Sequence, residues 1–561
     1  MNDTARELGT LLDEIGTFPH GAAEPVRPTD VEGWLRYSIG LLAVGEQERS
    51  SAALDTAGSL GPDSAQRVAI ADHRLRLTLA DGTDLTAAQR DLVAALREAG
   101  RTDRADAEER YGELLHRKVA RGNGFSDDEI AVLRTLAVEH PDARIRSRAW
   151  LQEARFADDQ DDLGTGEQRY RAAAMIADIG ADTHYAVTMG LVVNRLRQQD
   201  RSGALLAIET HLSVDDNPGC RAALLRLRSQ LLAGVGEFVT ALVAADEALT
   251  AVLGLGCHGH AADLARLGAL ISAEAGNHLD VVPRWRLAIR AAESADIDVT
   301  DYRFGLAQVL VDTDPDDAAG MLRELVDSAT DEGRAAEYLT LLGVALRRTG
   351  DDTLAHGILD RAVELAHRAQ NAAVAARAGQ EFGALLFDHA DPRCRTVLDR
   401  AVSDAREVPE ELPKLVEVLH LRGRVRCAQA DAGGLDDLDE AARSAAAVAP
   451  PWVRADITDS RARGLAQLGR LGEAVPVGLQ AADGFSDAGD PVAAGAATLF
   501  VGQVLADQGR DREAVAVLAG VLTQVAREPE LHEQACALAG DCYERLGRSA
   551  EAAAVRARIG T

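Results

Sequence analysis

Lysine is nearly missing from this chain. Lys118 and Lys414 are the only two, so arginine supplies almost all of the 60 basic residues. A phosphate-cradling P-loop needs Gly-Lys-Ser/Thr, yet Lys118 follows Arg117 and Lys414 follows Pro413, which excludes that nucleotide site. Aromatic residues make up 4% against 47% hydrophobic residues overall, so the core must be built from Ala, Leu and Val. That composition suits close helix packing and suits large sheets poorly. Six cysteines are scattered without a Cys-x-x-Cys pair, which reads as reduced thiols packed as small apolar groups. No apolar run reaches membrane-spanning length. The first thirty residues carry Asp3, Glu7, Asp13, Glu14 and Glu24, which does not match a secretory signal. The expected location is therefore cytoplasmic. H-E-x-x-H and G-x-S-x-G are absent, and no stretch alternates apolar and polar residues as a strand would.

Charge is lopsided in the other direction. The formal net charge is −30, which keeps a large chain from clumping and argues against nucleic acid or an anionic membrane as partner.

What the sequence does contain is a repeated turn. A glycine is followed five residues later by alanine in Gly236…Ala241, Gly350…Ala355, Gly509…Ala514 and Gly547…Ala552. In 336–369, Leu339, Leu342, Gly343 and Leu346 line one face of a first helix. Gly350 ends it, and Ala355, Leu359 and Ala362 line a second helix. Parts of the same pattern recur in 31–64 (Trp34, Gly45, Leu54, Ala57), in 495–528 (Gly502, Leu505, Gly509, Ala514) and in 533–561 (Gly540, Tyr543, Gly547, Ala552). Turn glycines fall about 40 residues apart.

These units resemble the tetratricopeptide repeat, with its small-residue and Gly-turn pattern over about 34 residues, in a long-period form of the kind found in bacterial regulators. The resemblance implies an all-α, right-handed superhelical solenoid of stacked antiparallel helix pairs, about twelve to fourteen of them. The expected organisation is an N-terminal helix and lead-in over 1–30, divergent helical repeats over 31–215 and a regular array over 216–561.

Three motifs compete with a purely structural reading. Gly254-Leu255-Gly256-Cys257-His258-Gly259 fits G-x-G-x-x-G, but a helix and not a strand is expected before it, so it reads as an inter-repeat loop. Cys257, His258 and His260 lie too close in sequence to wrap one zinc ion. Asp158–Asp162, Asp436–Glu440 and Asp314–Asp317 resemble the acidic motifs of helical terpene cyclases. Such an enzyme needs an aromatic cavity, and aspartates at helix starts serve as caps. No catalytic residue, metal or cofactor is therefore expected, and the chain is not expected to be an enzyme.

In the tetratricopeptide family the first helices line a concave groove. The resemblance places Asn194, Arg197, Arg226, Gln230, Arg266, Arg347, Arg348, Arg377, Gln380, His420 and Arg424 on that face. Arginines there either neutralise neighbouring carboxylates or hold an acidic ligand. The leading functional expectation is a non-catalytic scaffold that binds a protein or peptide, acidic in character, in the groove. The alternative is a regulatory sensor that binds a small peptide or metabolite and signals to a partner, and a third is a terpene-cyclase-like enzyme. A scaffold requires a long open groove and a sensor requires a closed pocket. Self-association is left open.

Overall fold

The computed structural model describes residues 27–81, 85–121, 125–525 and 527–559. The helix expected within 1–30 lies almost entirely outside them. Every regular element among the described residues is helical, with 28 α-helices in succession and consecutive helices packing together within each unit. The chain is all-α, built of stacked helix hairpins.

The hairpins form for local reasons. Helices begin on residues that accept the orphan N–H groups of the first turn. The Asp30 carboxylate accepts from Gly33 N at 2.7 Å, and Ser126 and Glu129 form a reciprocal capping box. Asn217-Pro218, Asp314-Pro315 and Asp490-Pro491 each put a cap before a proline that needs no N–H partner. Pro283 and Pro476 are exceptions to this placement. Both lie inside helices but on the exposed side, where water can satisfy the carbonyl each leaves unbonded. Many first helices are followed by a residue with positive φ, such as Gly350 at 83°.

In four hairpins of the second unit a first-helix glycine receives a leucine from the second helix. Leu359 covers Gly343, Leu398 covers Gly383, Leu438 covers Gly423 and Leu518 covers Gly502, each so closely that a Cβ on the glycine would collide with the leucine side chain. Close axis approach buries the Ala and Leu faces on either side, which is how a core poor in aromatics stays dense.

The chain divides into two compact units, residues up to Leu306 and residues from Ala307. In the first unit the helices are α1 (Val31–Ala43), α2 (Gln47–Ser59), α3 (Ser64–Asp81), α4 (Leu85–Glu98), α5 (Thr102–Arg121), α6 (Asp127–Glu139), α7 (Ala143–Asp159), α8 (Leu163–Ala174), α9 (Ala181–Arg197), α10 (Arg201–Leu212), α11 (Pro218–Ala233), α12 (Phe238–Gly254), α13 (His258–Glu274) and α14 (His278–Ser294). This unit turns back on itself, because α1 packs against α11. Arg36 donates to the Asp216 carbonyl at 2.8 Å, and Asn217 Nδ2 donates to the Arg36 carbonyl at 2.9 Å. Tyr37 Oη and Arg49 Nη2 both donate to the Leu255 carbonyl, at 3.0 and 2.8 Å, and Arg49 also reaches the Gly256 carbonyl at 3.1 Å. Within the glycine-rich segment 254–259, residues 255–257 form the inter-helix turn, and the Leu255 and Gly256 carbonyls receive the first hairpin.

α15 (Thr300–Thr313) spans the division between units. In the second unit, α16 (Pro315–Ser328), α17 (Glu332–Arg348), α18 (Asp352–Arg368), α19 (Ala372–Asp388), α20 (Cys394–Arg406), α21 (Leu412–Ala428), α22 (Gly433–Val448), α23 (Pro451–Gln467), α24 (Leu471–Asp487), α25 (Pro491–Asp507), α26 (Asp511–Gln524), α27 (Pro529–Arg545) and α28 (Ser549–Arg556) follow in order. The first helices α17, α19, α21 and α23 touch one another in succession.

Candidate functional site

The first unit holds a cavity of about 550 Å³ that is partly open to solvent. Its wall comes from α1, α3, α5, α7 and α9, the first helix of each successive pair, with Tyr170 added from α8. Leu42, Leu79, Leu151, Met189 and Val193 supply apolar surface. His73, Arg76, Arg148, Arg155 and Asp182 supply the charged and titratable groups.

Behind this wall lies a buried ion network. Asp72 is 1% exposed, and Glu108 is fully buried. Arg148 donates to Glu108 at 2.9 Å and also to Asp72, while Arg144 donates to the other Asp72 oxygen at 2.9 Å. Arg76 Nε lies 2.8 Å from Asp182. Burial alone would raise the Asp72 pKa. The guanidiniums of Arg148, Arg76, Arg144 and Arg104 outweigh it and hold that carboxyl well below the usual range. For Glu108, burial wins over the pull of Arg148 and Arg104, and its pKa rises. Arg104 stands 3.6 Å from Asp72, Glu108 and Asp142 alike, and its Nε and Nη2 have no hydrogen-bond partner.

His73 is the exceptional group on the wall. It is 1% exposed, and neither ring nitrogen makes a hydrogen bond of good geometry, although the Ser38 backbone lies near enough to favour the protonated ring. Its Nδ1 stands 4.0 Å from Asp182, too far to bond. Burial pushes its pKa down to about 4 against the opposing pull of Asp182, so the ring is neutral near pH 7. A buried imidazole without a well-formed hydrogen bond is costly, and a polar ligand atom would relieve that cost. Arg155, at i+7 from Arg148 on the same face of α7, is exposed and makes no ion pair among the described residues.

None of these residues was singled out in the sequence. Asp72 and Arg76, Arg104 and Glu108, and Arg144 and Arg148 are each four apart on α3, α5 and α7. That spacing is also the signature of solvated helix pairs. The one available signal was that such pairs recur on three successive first helices.

The residues expected on the first-helix face have varied surroundings, and they divide between the two units. Asn194 is fully buried and donates to Asp158 at 2.6 Å and to the Leu163 carbonyl at 3.0 Å. Arg197 pairs with Asp161 at 3.0 Å, and Arg266 stands 3.8 Å from Asp263. Arg226 is half-buried and Gln230 exposed. Arg347 pairs with Asp388 at 2.8 Å and Arg348 with Asp312 at 3.0 Å. Gln380 accepts from Lys414 at 3.2 Å, and His420 bonds Ser460 Oγ at 2.7 Å. Arg377 and Arg424 are exposed and form no ion pair among the described residues.

The acidic motifs are already engaged. Asp158 accepts from Tyr170 and Asn194, Asp162 and Asp314 cap helices, and Asp437 accepts from Arg422 and Arg426. Cys257 Sγ receives Arg49 at 3.3 Å, and His260 lies 3.6 Å from Glu46. Among the described residues no group of three His, Cys, Asp or Glu side chains could hold a metal ion, and no helix is long and apolar enough to cross a membrane. All six cysteines are free and buried.

No family model matches the chain, and no curated protein matches it. Solved structures that resemble it include the apo form of the quorum sensor NprR from B. thuringiensis, at 14% identity and a TM-score of 0.42, covering 61% of this chain and 100% of that one. A Rap protein complexed with competence and sporulation factor aligns at 13% identity and a TM-score of 0.36, covering 65% and 99%. A signal transduction ATPase with a tetratricopeptide repeat sensor from Pyrococcus horikoshii aligns at 12% identity and a TM-score of 0.41, covering 89% and 71%. The chain's own hairpins carry the assignment of the repeat: a first helix with a small crossing residue, a left-handed turn residue and a second helix opening on a packed alanine. Its repeats are of the tetratricopeptide type.

Proposed function

We propose that this protein is a non-catalytic sensor of the cytoplasm that binds a small ligand in the cavity of its first unit. The observation that carries the reading is His73, buried on the cavity wall with neither nitrogen in a hydrogen bond of good geometry. A cavity of about 550 Å³ falls in the size range of small-molecule sites and combines apolar surface with a few convergent polar groups. Closure of α1 onto α11 favours a pocket over the open groove that a scaffold requires.

The test uses the full chain and the neutral dye Nile red. Saturable fluorescence at one dye per chain is expected. Ala186→Trp, which fills part of the cavity, should abolish it while the far-UV circular dichroism stays unchanged. Absence of saturable binding, or binding indifferent to Ala186→Trp, rules the reading out.

A second reading, an adaptor for an acidic protein segment, draws on Arg377 and Arg424. They form no ion pair among the described residues and lie on α19 and α21, first helices that touch, with Asp456 near Arg424. An Arg fork without an internal ion pair is suited to a carboxylate from a partner. The two readings are compatible, since they use different units.

A further inference from the structure

We infer that the ligand of the first-unit cavity is an apolar molecule carrying a single carboxylate, held at the Arg155 guanidinium. The inference rests on the cavity being a ligand site and adds the chemistry of what fills it.

The chain as a whole is strongly acidic, at −30. The cavity wall is the reverse: Arg76, Arg148 and Arg155 face Asp182 as the one carboxylate among the lining residues. Asp72 and Glu108 lie behind the wall and do not line it. Their role there is to hold Arg148 in place from the rear, through Glu108 at 2.9 Å and through Asp72. An arginine tethered from behind is oriented before any ligand arrives.

Arg76 is taken up by Asp182 and Thr183, and Arg148 by Asp72 and Glu108. Arg155 alone among the three has no carboxylate partner among the described residues. One free guanidinium fork matches one carboxylate bidentately. Its exposure places it where a charged head can keep contact with water, while the apolar wall receives the rest of the molecule. Desolvating a second negative charge deeper inside would meet Asp182 and the buried acids, which disfavours a dianion.

A cationic ligand fares worse on this wall, because the uncompensated Arg155 guanidinium would repel it. A neutral apolar ligand would leave Arg155 without a role and gain nothing from it.

Calorimetric titration of the full chain with decanoate, decanol and decylammonium tests this. Decanoate should bind one per chain and at least about tenfold more tightly than decylammonium. Arg155→Ala should weaken decanoate by about tenfold and leave decanol unchanged, and Arg155→Lys should recover part of the loss. Because Arg155 is exposed and unpaired, neither variant should alter the thermal melt. Decylammonium binding as tightly as decanoate overturns the inference, as does decanoate binding that ignores Arg155→Ala. If Nile red enters the cavity and decanoate fails to displace it, the ligand chemistry is wrong while the cavity reading stands. If no probe enters, both fall together.

Discussion

Gly40 on α1 and Gly219 at the start of α11 meet backbone to backbone, and a Cβ on Gly219 would run into the Gly40 carbonyl and Cα. Hydrogen bonds that join the same two segments span 180 residues of chain. The contact closes the first unit, so closure depends on the absence of side chains at one crossing. Gly219→Ala must push the helices apart and should destabilise the protein by about 1–3 kcal/mol, read as a lower urea midpoint. It should also weaken Nile red binding. The contrasting variant is Gly320→Ala on α16, where a Cβ meets nothing. There the gain in helix propensity should stabilise by about 0.5–1 kcal/mol. Equal melts for the two variants would show that the closing contact contributes nothing.

Gly343 is the corresponding crossing inside a hairpin. Gly343→Leu sets two leucine side chains in the space of one, against Leu359. The expected loss is about 1–3 kcal/mol in thermal and urea melts. A melt identical to wild type would mean that this register is not needed.

Acid should weaken the fold through its buried histidines. The folded-state pKa of His73 lies at about 4 because burial disfavours the cation, below the 6.5 of an exposed histidine. As pH falls the unfolded chain therefore takes the proton first. The stability that neutral His73 contributes is complete above about pH 6.5 and declines as pH drops toward 4. His420 behaves alike, lowered to about 4 by burial and by Arg424. Asp182, Arg76 and Asp72 are the charged groups around His73. His73→Leu should flatten the fall in melting temperature between pH 7 and about pH 4.5, and pairing it with His420→Leu should flatten it further. An unchanged slope in the double variant would place the acid sensitivity elsewhere.

The arginines of the second unit separate two roles. Arg347 holds Asp388 at 2.8 Å on a partly exposed surface, so Arg347→Ala should lower stability by less than about 1 kcal/mol. Arg424 has no ion-pair partner among the described residues, and Arg424→Ala should leave the melt unchanged. An acidic peptide that binds wild type and loses affinity with Arg377→Ala/Arg424→Ala would support the adaptor reading. A peptide that binds both proteins equally at low salt would remove it.

Ala430 occupies a turn position usually given to glycine, with φ of 58°. An L side chain is strained there, so Ala430→Gly should raise stability by up to about 1 kcal/mol, measurable as a small rise in melting temperature.

Ala430 also explains part of what the sequence concealed. Turn glycines at 236, 276, 350, 469, 509 and 547 announced their hairpins because positive φ selects glycine. Asp161, Gln199, Ala390 and Ala430 occupy the left-handed conformation without being glycine, so the hairpins that turn there left no such mark. The motifs that looked chemical were legible as well. Asp162 and Asp314 cap helices as their positions before Leu163 and Pro315 imply.

The sequence by itself determined the hairpin. The helical spacing of Leu339, Leu342, Gly343 and Leu346, the turn at Gly350 and the packed Ala355 are local requirements, written within one repeat and satisfied there. The cavity was decided only by tertiary structure. Arg148 meets Asp72 across 76 residues, and Gly40 meets Gly219 from farther still. Whether a stack of hairpins stays open or closes depends on small rotations added from pair to pair. No single repeat records that sum, so the ring, its buried ions and the buried His73 appear only once the whole first unit is folded.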